Sequence, residues 1–398
     1  MLAVQKELRE IDQNIESTVN KNIPSQEYKE YKLQLKVFQR KISEMIKKSS
    51  QLSQNSTTQT APRRNVQKIS SDSNEQNNRK HSIHNYRIRS KSGVYKNRNI
   101  THQYIIKTGR SIISSDTSKK TDRERLHYCP EFPPDLSGVI KVNFNETENL
   151  AYRDISIQHP DILPGGMWRP SDCVSRHRVA IIIPFRDRKR HLTILLANLL
   201  PVLKRQQLHF RIYLVEQFGN DTFNKGRIMN AAFGEAIRTQ DFDCFVFHDV
   251  DLIPEDDRNM YSCPENPRHL SVAVDEMKYR LWYDLLVGGV LNMRSEHFQI
   301  VNGYSNMYWG WGAEDDDMAY RILQVGLKIS RPPANIARYK MIPHAKREPT
   351  NWKKRTRLLQ TVRKRFRYDG LNSVEYELLF MHLDPLFTHI LVDVGKPP

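Results

Sequence analysis

Apolar and polar positions divide the chain sharply. Tyr28, Tyr31, Leu35, Phe38, Ile42 and Met45 recur at spacings of three and four, an amphipathic seam on one helix. The seam lasts under three heptads, so a short self-associating coiled coil and a lone amphipathic helix both fit it. Residues 49–126 are rich in Ser, Asn, Gln, Lys and Arg and read as a disordered basic linker. Dense apolar runs begin after Tyr128. Val179-Ala-Ile-Ile-Ile183, β-branched and closed by Pro184, predicts a buried parallel strand. A helix over about Arg188–Lys204 follows, then a strand (Phe210–Val215), a helix (about Asn224–Arg238) and a strand (Cys244–Phe247). Further strands are expected at Ser271–Val274 and Val287–Leu291, and a helix over Glu314–Val325 closed by Gly326. Strands alternating with helices predict an α/β sheet flanked by helices.

Composition refines this division. The chain has 398 residues and 38% hydrophobic content, below the usual globular share, and the deficit falls in the first third. The net charge of +17 favours anionic partners such as nucleic acid, anionic membranes or phosphorylated substrates. Much of the excess lies in Arg63-Arg64, Arg87 to Arg98 and Lys346 to Arg367; solvated linker and helix faces explain the first two. No zinc finger, RNA-recognition or helix-turn-helix pattern accompanies the charge, which argues against a nucleic-acid-binding protein. No run of about 18 apolar residues predicts a membrane span, and Met1-Leu-Ala-Val is too short for a signal-peptide core. A secretory protein would therefore need a targeting segment that is missing or unconventional. Cys129, Cys173, Cys244 and Cys263 lack Cys-x-x-Cys spacing and permit two disulfides. With sequons at Asn55, Asn99, Asn145 and Asn220, they lean toward an oxidising compartment.

The chemistry-bearing residues fall at strand ends. Trp309-Gly-Trp-Gly-Ala-Glu-Asp-Asp-Asp317 joins two indoles to four consecutive carboxylates. Glycines permit sharp turns and close approach to a ligand, Trp faces stack on sugars, and a carboxylate in such a wall can serve as a general base. A plainer reading is an acidic helix start that complements the helix dipole. Asp249-Val-Asp251 follows an apolar strand, where open α/β sheets bind ligands, and two carboxylates there suit a hard divalent cation. His344, with Met341 three residues earlier, could join that set and tilt it from Mg²⁺ toward Mn²⁺; a lone His is otherwise an ordinary surface or core residue. Pro184-Phe-Arg-Asp-Arg188 and Phe223-Asn-Lys-Gly-Arg227 put cations at strand ends and a helix start, where they can grip phosphate. Phe185 or Phe223 could stack on a base. Basic surface loops are the alternative.

These motifs together resemble the β-1,4-galactosyltransferase family, inverting enzymes with a GT-A nucleotide-sugar-binding fold. The resemblance runs from about Cys129 to Val394. It rests on Val179-Ala-Ile-Ile-Ile-Pro-Phe-Arg, Phe-Val-Phe-His-Asp-Val-Asp-Leu-Ile-Pro254, Tyr308-Trp-Gly-Trp-Gly-Ala-Glu-Asp-Asp-Asp317, Met341-Ile-Pro-His344 and Asp369-Gly-Leu-Asn-Ser373. It implies Mn²⁺ bound by Asp251, Met341 and His344, with Asp249 and Val250 supporting the site and the uridine diphosphate. Pro184, Phe185, Arg186, Arg188, Phe223 and Lys225 would hold the nucleotide. Asp315 would be the general base, with Glu314 and Asp316 contacting donor and acceptor sugars. Trp311 and Gly312 would lie on a loop that closes over the donor. Cys129–Cys173 and Cys244–Cys263 would be the two disulfides.

In Leu281-Trp-Tyr-Asp-Leu-Leu286-Val-Gly-Gly289, galactose-transferring members carry Tyr where this chain has Leu286. Invertebrate members that transfer N-acetylgalactosamine carry a smaller aliphatic residue there. The resemblance thus points to UDP-N-acetylgalactosamine as donor and a terminal N-acetylglucosamine as acceptor; UDP-galactose is the alternative. A catalytically inactive, glycan-binding relative is a further reading, against which every proposed catalytic position is filled. Ala313 departs from a family Gly, Phe-Asn-Lys-Gly-Arg from Phe-Asn-Arg-Ala-Lys, and the segment after His344 is shortened and unusually basic. The expected organisation is a helical stem (1–48), the linker (49–126), and one catalytic domain with a nucleotide-binding part (127–260) and a catalytic and acceptor part (261–398). By the same resemblance the protein would be a type II protein of the Golgi lumen.

Overall fold

The computed structural model describes residues 126–144, 150–345 and 349–398. The helical stem and nearly all of the linker lie outside the described residues. Eleven strands and six α-helices are named here in chain order. They begin with α1 (Tyr152–Gln158), β1 (Met167–Trp168), β2 (Arg178–Phe185), α2 (Lys189–Arg205), β3 (His209–Gln217) and α3 (Lys225–Thr239). Next come β4 (Cys244–His248), β5 (Leu252–Pro254), β6 (Arg268–His269), β7 (Ala273–Val274), β8 (Val290–Arg294), α4 (Ser295–Ile300) and α5 (Glu314–Gln324). The chain closes with β9 (Arg338–Met341), α6 (Trp352–Arg365), β10 (Glu377–Leu383) and β11 (Thr388–Asp393).

The main sheet runs β10-β11-β3-β2-β4-β8-β6, with β1 also paired to β3. Its centre is parallel: β2 lies between β3 and β4, and β11 runs parallel to β3. β8 joins β4 antiparallel, so the sheet is mixed and draws strands from both sides of residue 260. The apolar run in β2 explains its central place, because both of its faces are covered. Val179, Ile181 and Ile183 pack with Leu192, Leu195 and Leu199 of α2. Ala180 and Ile182 pack on the other side with Ile228 and Ala232 of α3 and Met318 and Ile322 of α5. Complete burial of a Leu or Ile side chain is worth about 1.5–3 kcal/mol, so these two layers fix the strand ends in space.

Both disulfides are formed. Cys129–Cys173 ties the start of the domain to the segment before β2, and Cys244–Cys263 ties β4 to the loop after β5. Among the described residues, no helix is long and apolar enough to cross a membrane.

Two expectations shift. The strand expected at Ser271–Val274 shortens to the two residues of β7, and the one at Val287–Leu291 moves to Val290–Arg294. The second shift follows from Gly289, whose φ of +87° breaks extended backbone before Val290. α6, β10 and β11 have no counterpart in the expected elements.

Candidate active site

Asp249, Val250 and Asp251 form the turn between β4 and β5, at the carboxyl end of a parallel strand. β5 pairs antiparallel with β9 so that Leu252 faces Met341, which brings Met341 beside Asp251. The Ile342 N–H donates to the Asp251 carbonyl at 2.8 Å, and the Met341 N–H donates to Asp275 Oδ1 at 2.8 Å. The chain then turns so that His344 Nδ1 lies 3.2 Å from Asp251 Oδ2. Three residues separated by up to 93 positions in sequence thus converge. Burial, and secondarily the neighbouring Asp249 carboxylate, push the Asp251 carboxyl up to about 6. A buried carboxylate raised in this way, facing an imidazole and backed by a second carboxylate, is the environment a divalent cation relieves. Among the described residues no three His, Cys, Asp or Glu side chains close around one point; Met341, next to Asp251 through the β5–β9 pairing, is the remaining candidate donor. The donor set therefore fits a borderline metal better than a purely oxygen-seeking one.

Lys225, the first residue of α3, joins this turn to the acidic cluster. Its Nζ lies 2.6 Å from Asp249 Oδ1 and 3.7 Å from Glu314 Oε1. Those two carboxylates overcome the desolvation of the ammonium and hold its pKa well above the ordinary lysine value. The start of α3 is fixed by Asn224, whose side chain accepts from the Arg227 N–H at 2.9 Å.

The four consecutive carboxylates point to four different neighbours. Glu314 faces Lys225, and its Oε2 is buried without a hydrogen-bond partner among the described residues. Asp315 backs onto Gly288, where a Cβ would come within 2.1 Å of its Oδ2. Asp316 accepts from the Tyr283 hydroxyl at 2.8 Å. Asp317 turns inward, accepting from Arg321 Nε and Arg365 Nη2 at 2.5 Å each and from the Tyr308 hydroxyl at 2.9 Å. Asp369 completes this buried cluster, accepting from Arg321 Nη2 at 3.3 Å, from Ser305 Oγ at 2.6 Å and from Arg365. The Asp369-Gly-Leu-Asn-Ser373 motif thereby acts as a brace that holds α5 against α6. Desolvation, with Glu314 and Asp316 adding like charge, raises the Asp315 carboxyl to about 7, against the opposing pull of Lys225. A carboxylate in that range is poised for proton transfer near neutrality.

The expected nucleotide residues divide. Arg186 donates to the Asp221 carbonyl at 2.7 Å and lies over the Phe223 ring at 5.1 Å. Arg188 donates to the Ala345 carbonyl at 3.1 Å, joining the end of β2 to the His344 segment. Phe185 corrects the stacking expectation: its ring packs into the α2-side core at 4% exposure, because an alternating strand residue on that face points inward. Phe223 is also buried, at 9% exposure, in the core on the α3 side, with Arg186 over its ring. Leu286 is buried at 8% exposure, two residues before Gly288 and the Asp315 contact. Gly289 has no room for a Cβ against Ser271 and Leu252, and its carbonyl accepts from the Asp249 N–H at 3.0 Å. The Leu286 segment is therefore tied to both the carboxylate turn and the acidic cluster.

Trp309 is buried under Arg227 at 5.1 Å, whereas Trp311 is 61% exposed. The Trp311 carbonyl accepts from the Thr350 N–H at 3.0 Å. Ala313, in the left-handed region at φ +75°, caps the start of α5 where a glycine would fit without strain. Tyr283, Gly288 and Asp275 are site residues that sequence reasoning did not single out. The only signal for the first two is their place beside Leu286 in one short segment, and Asp275 had none.

Two family models match the chain: one described as the N-terminal region of glycosyl transferase group 7, over residues 129–264, and one described as the N-terminal domain of galactosyltransferase, over residues 268–345. Human Beta-1,4-galactosyltransferase 3 is 44% identical over 276 residues, covering 69% of this chain and 70% of the relative. Mouse Beta-1,4-galactosyltransferase 1 is 45% identical over 274 residues, covering 68% of each. Among solved structures, the catalytic domain of Drosophila beta1,4-galactosyltransferase 7 in complex with xylobiose aligns with a TM-score of 0.48 and 30% identity, covering 55% of this chain and 94% of that one.

Proposed function

The chain belongs to the β-1,4-galactosyltransferase family and is a glycosyltransferase; from that premise we propose that it transfers N-acetylgalactosamine from UDP-N-acetylgalactosamine, with inversion, to the 4-hydroxyl of a terminal N-acetylglucosamine. The observation that carries the donor reading is Leu286. It is buried in the segment that backs onto Asp315, at the position where, by the resemblance, galactose-transferring members carry Tyr. Without a phenol there, the pocket has room for a 2-acetamido group, and a site that rejects by bulk is altered by one side chain. The family names of the relatives favour a second reading, UDP-galactose on the same acceptor.

In the proposed mechanism Asp315 takes the proton of the acceptor hydroxyl. The hydroxyl oxygen bonds to the anomeric carbon from the face opposite the diphosphate, and UDP leaves with the electrons of the broken bond. The buried, unsatisfied Glu314 Oε2 suits a sugar hydroxyl; Asp316, held by Tyr283, is available to the acceptor. Lys225, Arg186 and Arg188 supply positive charge for the diphosphate, Phe223 a face for the base, and Pro184 and Val250 the backbone at the two strand ends. Asp251, Met341 and His344, with Asp249 behind them, would hold Mn²⁺, which when bound offsets charge on the leaving diphosphate. Trp311 and Gly312 lie on the loop proposed to cover the donor and exclude water. Two disulfides accord with an oxidising compartment, and the Golgi lumen is proposed on family grounds. The test is UDP release by the full chain with Mn²⁺, with and without N-acetylglucosamine, for both donors in parallel. Acceptor-dependent release that favours UDP-N-acetylgalactosamine is expected. Release favouring UDP-galactose would discard the donor assignment, and none with either donor would discard the activity.

A further inference from the structure

From Trp352 to Arg367, half the positions are Lys or Arg and none is Asp or Glu. Most of this tract is α6, and the helix sorts its cations into two groups. Leu358, Val362 and Arg365 face inward; Arg365 is neutralised by Asp317 and Asp369. Lys353, Arg357 and Lys364 are exposed. At 100° per residue, these three fall within a stripe about 40° wide, opposite the buried face, that runs along about 16 Å of helix. Among the described residues none of the three forms a salt bridge; Lys353 has only the face of Trp352, at 6.0 Å.

The stripe has a fixed relation to the reacting end of the molecule. Thr350, two residues before α6, donates from its N–H to the Trp311 carbonyl at 3.0 Å and from its hydroxyl to the Trp309 carbonyl at 2.8 Å. Arg355 Nη1, one turn into the helix, stands 2.9 Å from where a Cβ on Gly312 would lie. The start of α6 therefore lies beside the Trp311–Gly312 loop; Arg355 faces the loop, while the stripe, about 180° round the helix from Arg355, leads away along the outer side. A fold needs no such row: unpaired like charges along one face repel, and they contribute nothing to packing.

We propose that α6 is a cationic exosite for the carrier of the acceptor sugar, and that the carrier it selects is an acidic peptide. Lys353 and Arg357 are about 6 Å apart along the helix, close to the roughly 7 Å between side chains on one face of an extended peptide. This proposal rests on the acceptor-sugar reading above. Its placement predicts that the exosite acts on KM for peptide-borne acceptors and leaves the chemical step alone.

The experiment compares the 398-residue chain with its Lys353→Gln/Arg357→Gln/Lys364→Gln variant. Three acceptors are used: free N-acetylglucosamine, and two synthetic peptides bearing the same sugar, one flanked by Glu and the other by Gln. Exposed ion pairs contribute modestly, so the Glu peptide should show a KM roughly tenfold lower than the Gln peptide, with kcat unchanged. The advantage should disappear in the variant and at high salt. Equal turnover of free N-acetylglucosamine by both proteins shows that the variant is folded. Equal KM values for the two peptides in the parent protein, or an advantage that survives in the variant, overturns the proposal. Binding of the sugar-free Glu peptide, followed by fluorescence anisotropy, separates this proposal from the acceptor reading. Peptide binding without turnover would retain the exosite and discard the acceptor reading, whereas turnover without peptide binding does the reverse. Heparin, a sulfated polysaccharide, should bind the parent no more tightly than the Glu peptide; tighter heparin binding with no peptide preference also overturns the proposal.

Discussion

Replacing Asp315 by Asn should stabilise the protein while disabling it, and the stabilisation should depend on pH. The carboxyl rises from 3.8 to about 7 through desolvation and the adjacent Glu314 and Asp316, with Lys225 pulling the other way. Tyr304 and Tyr283, the neutral titratable groups on that side, are themselves pushed up, first by their own burial and then by the same carboxylates. Below about pH 4 Asp315 is protonated in both folded and unfolded states and contributes nothing. Between about pH 4 and 7 the unfolded chain releases its proton and the folded protein keeps it, so stability falls as pH rises; above about 7 the penalty is constant. Three units at about 1.4 kcal/mol each set a ceiling of about 4 kcal/mol. About a third of the penalty is already present at pH 5, and the side chain is only partly buried, so water access leaves an expected gain of about 1–1.5 kcal/mol in the variant at pH 8 relative to pH 5. Urea unfolding of both proteins at the two pH values, in chelator, measures the difference; taking the change between pH values cancels whatever Asn does at every pH. Activity should fall about 10²–10⁴-fold, the usual contribution of a positioned base. A stability difference that is flat or falls with pH would refute the argument from burial and like charge.

Gly288→Ala puts a methyl group within 2.1 Å of Asp315 Oδ2; displacing the base by about 1 Å should lower kcat about 10²-fold with the circular dichroism spectrum unchanged. Asp317→Asn leaves Arg321, which is fully buried, and Arg365 with Asp369 as their remaining carboxylate. A loss of about 3–5 kcal/mol in urea unfolding is expected, and a loss below 1 kcal/mol would show that the cluster is no brace. His344→Ala should weaken Mn²⁺ binding, read by electron paramagnetic resonance of free Mn²⁺, by more than the about 10–100-fold that follows loss of an outer-sphere partner. Unchanged affinity would exclude His344 from the metal set.

The central strands were legible because burial on both faces leaves an uninterrupted β-branched run, as in Val179 to Ile183. α6 was not: Leu358, Leu359 and Val362 are too few apolar positions among the cations to show a helical period. β10 was hidden for a different reason. Leu378, Leu379 and Leu383 are partly exposed at a sheet edge, so the strand lacks the in–out alternation by which an antiparallel strand is recognised. At the site, residue types at strand ends marked Asp249, Asp251 and Lys225. The inward turn of Asp317 was invisible, because four adjacent carboxylates look alike until Arg321 and Arg365 single one out. Tyr283, Gly288 and Asp275 act through partners 27 to 66 positions away, a distance over which sequence spacing carries no geometric information.

The donor ratio of Leu286→Tyr against the parent protein tests the account most directly. Both should be assayed for acceptor-dependent UDP release with UDP-N-acetylgalactosamine and UDP-galactose at matched concentrations. The parent should favour the N-acetylated donor. In the variant, the phenol should occupy the 2-acetamido space and reverse that preference by about 10–200-fold in relative kcat/KM, the range for one pocket group. An active variant whose donor ratio equals the parent's would contradict the assignment of donor choice to Leu286.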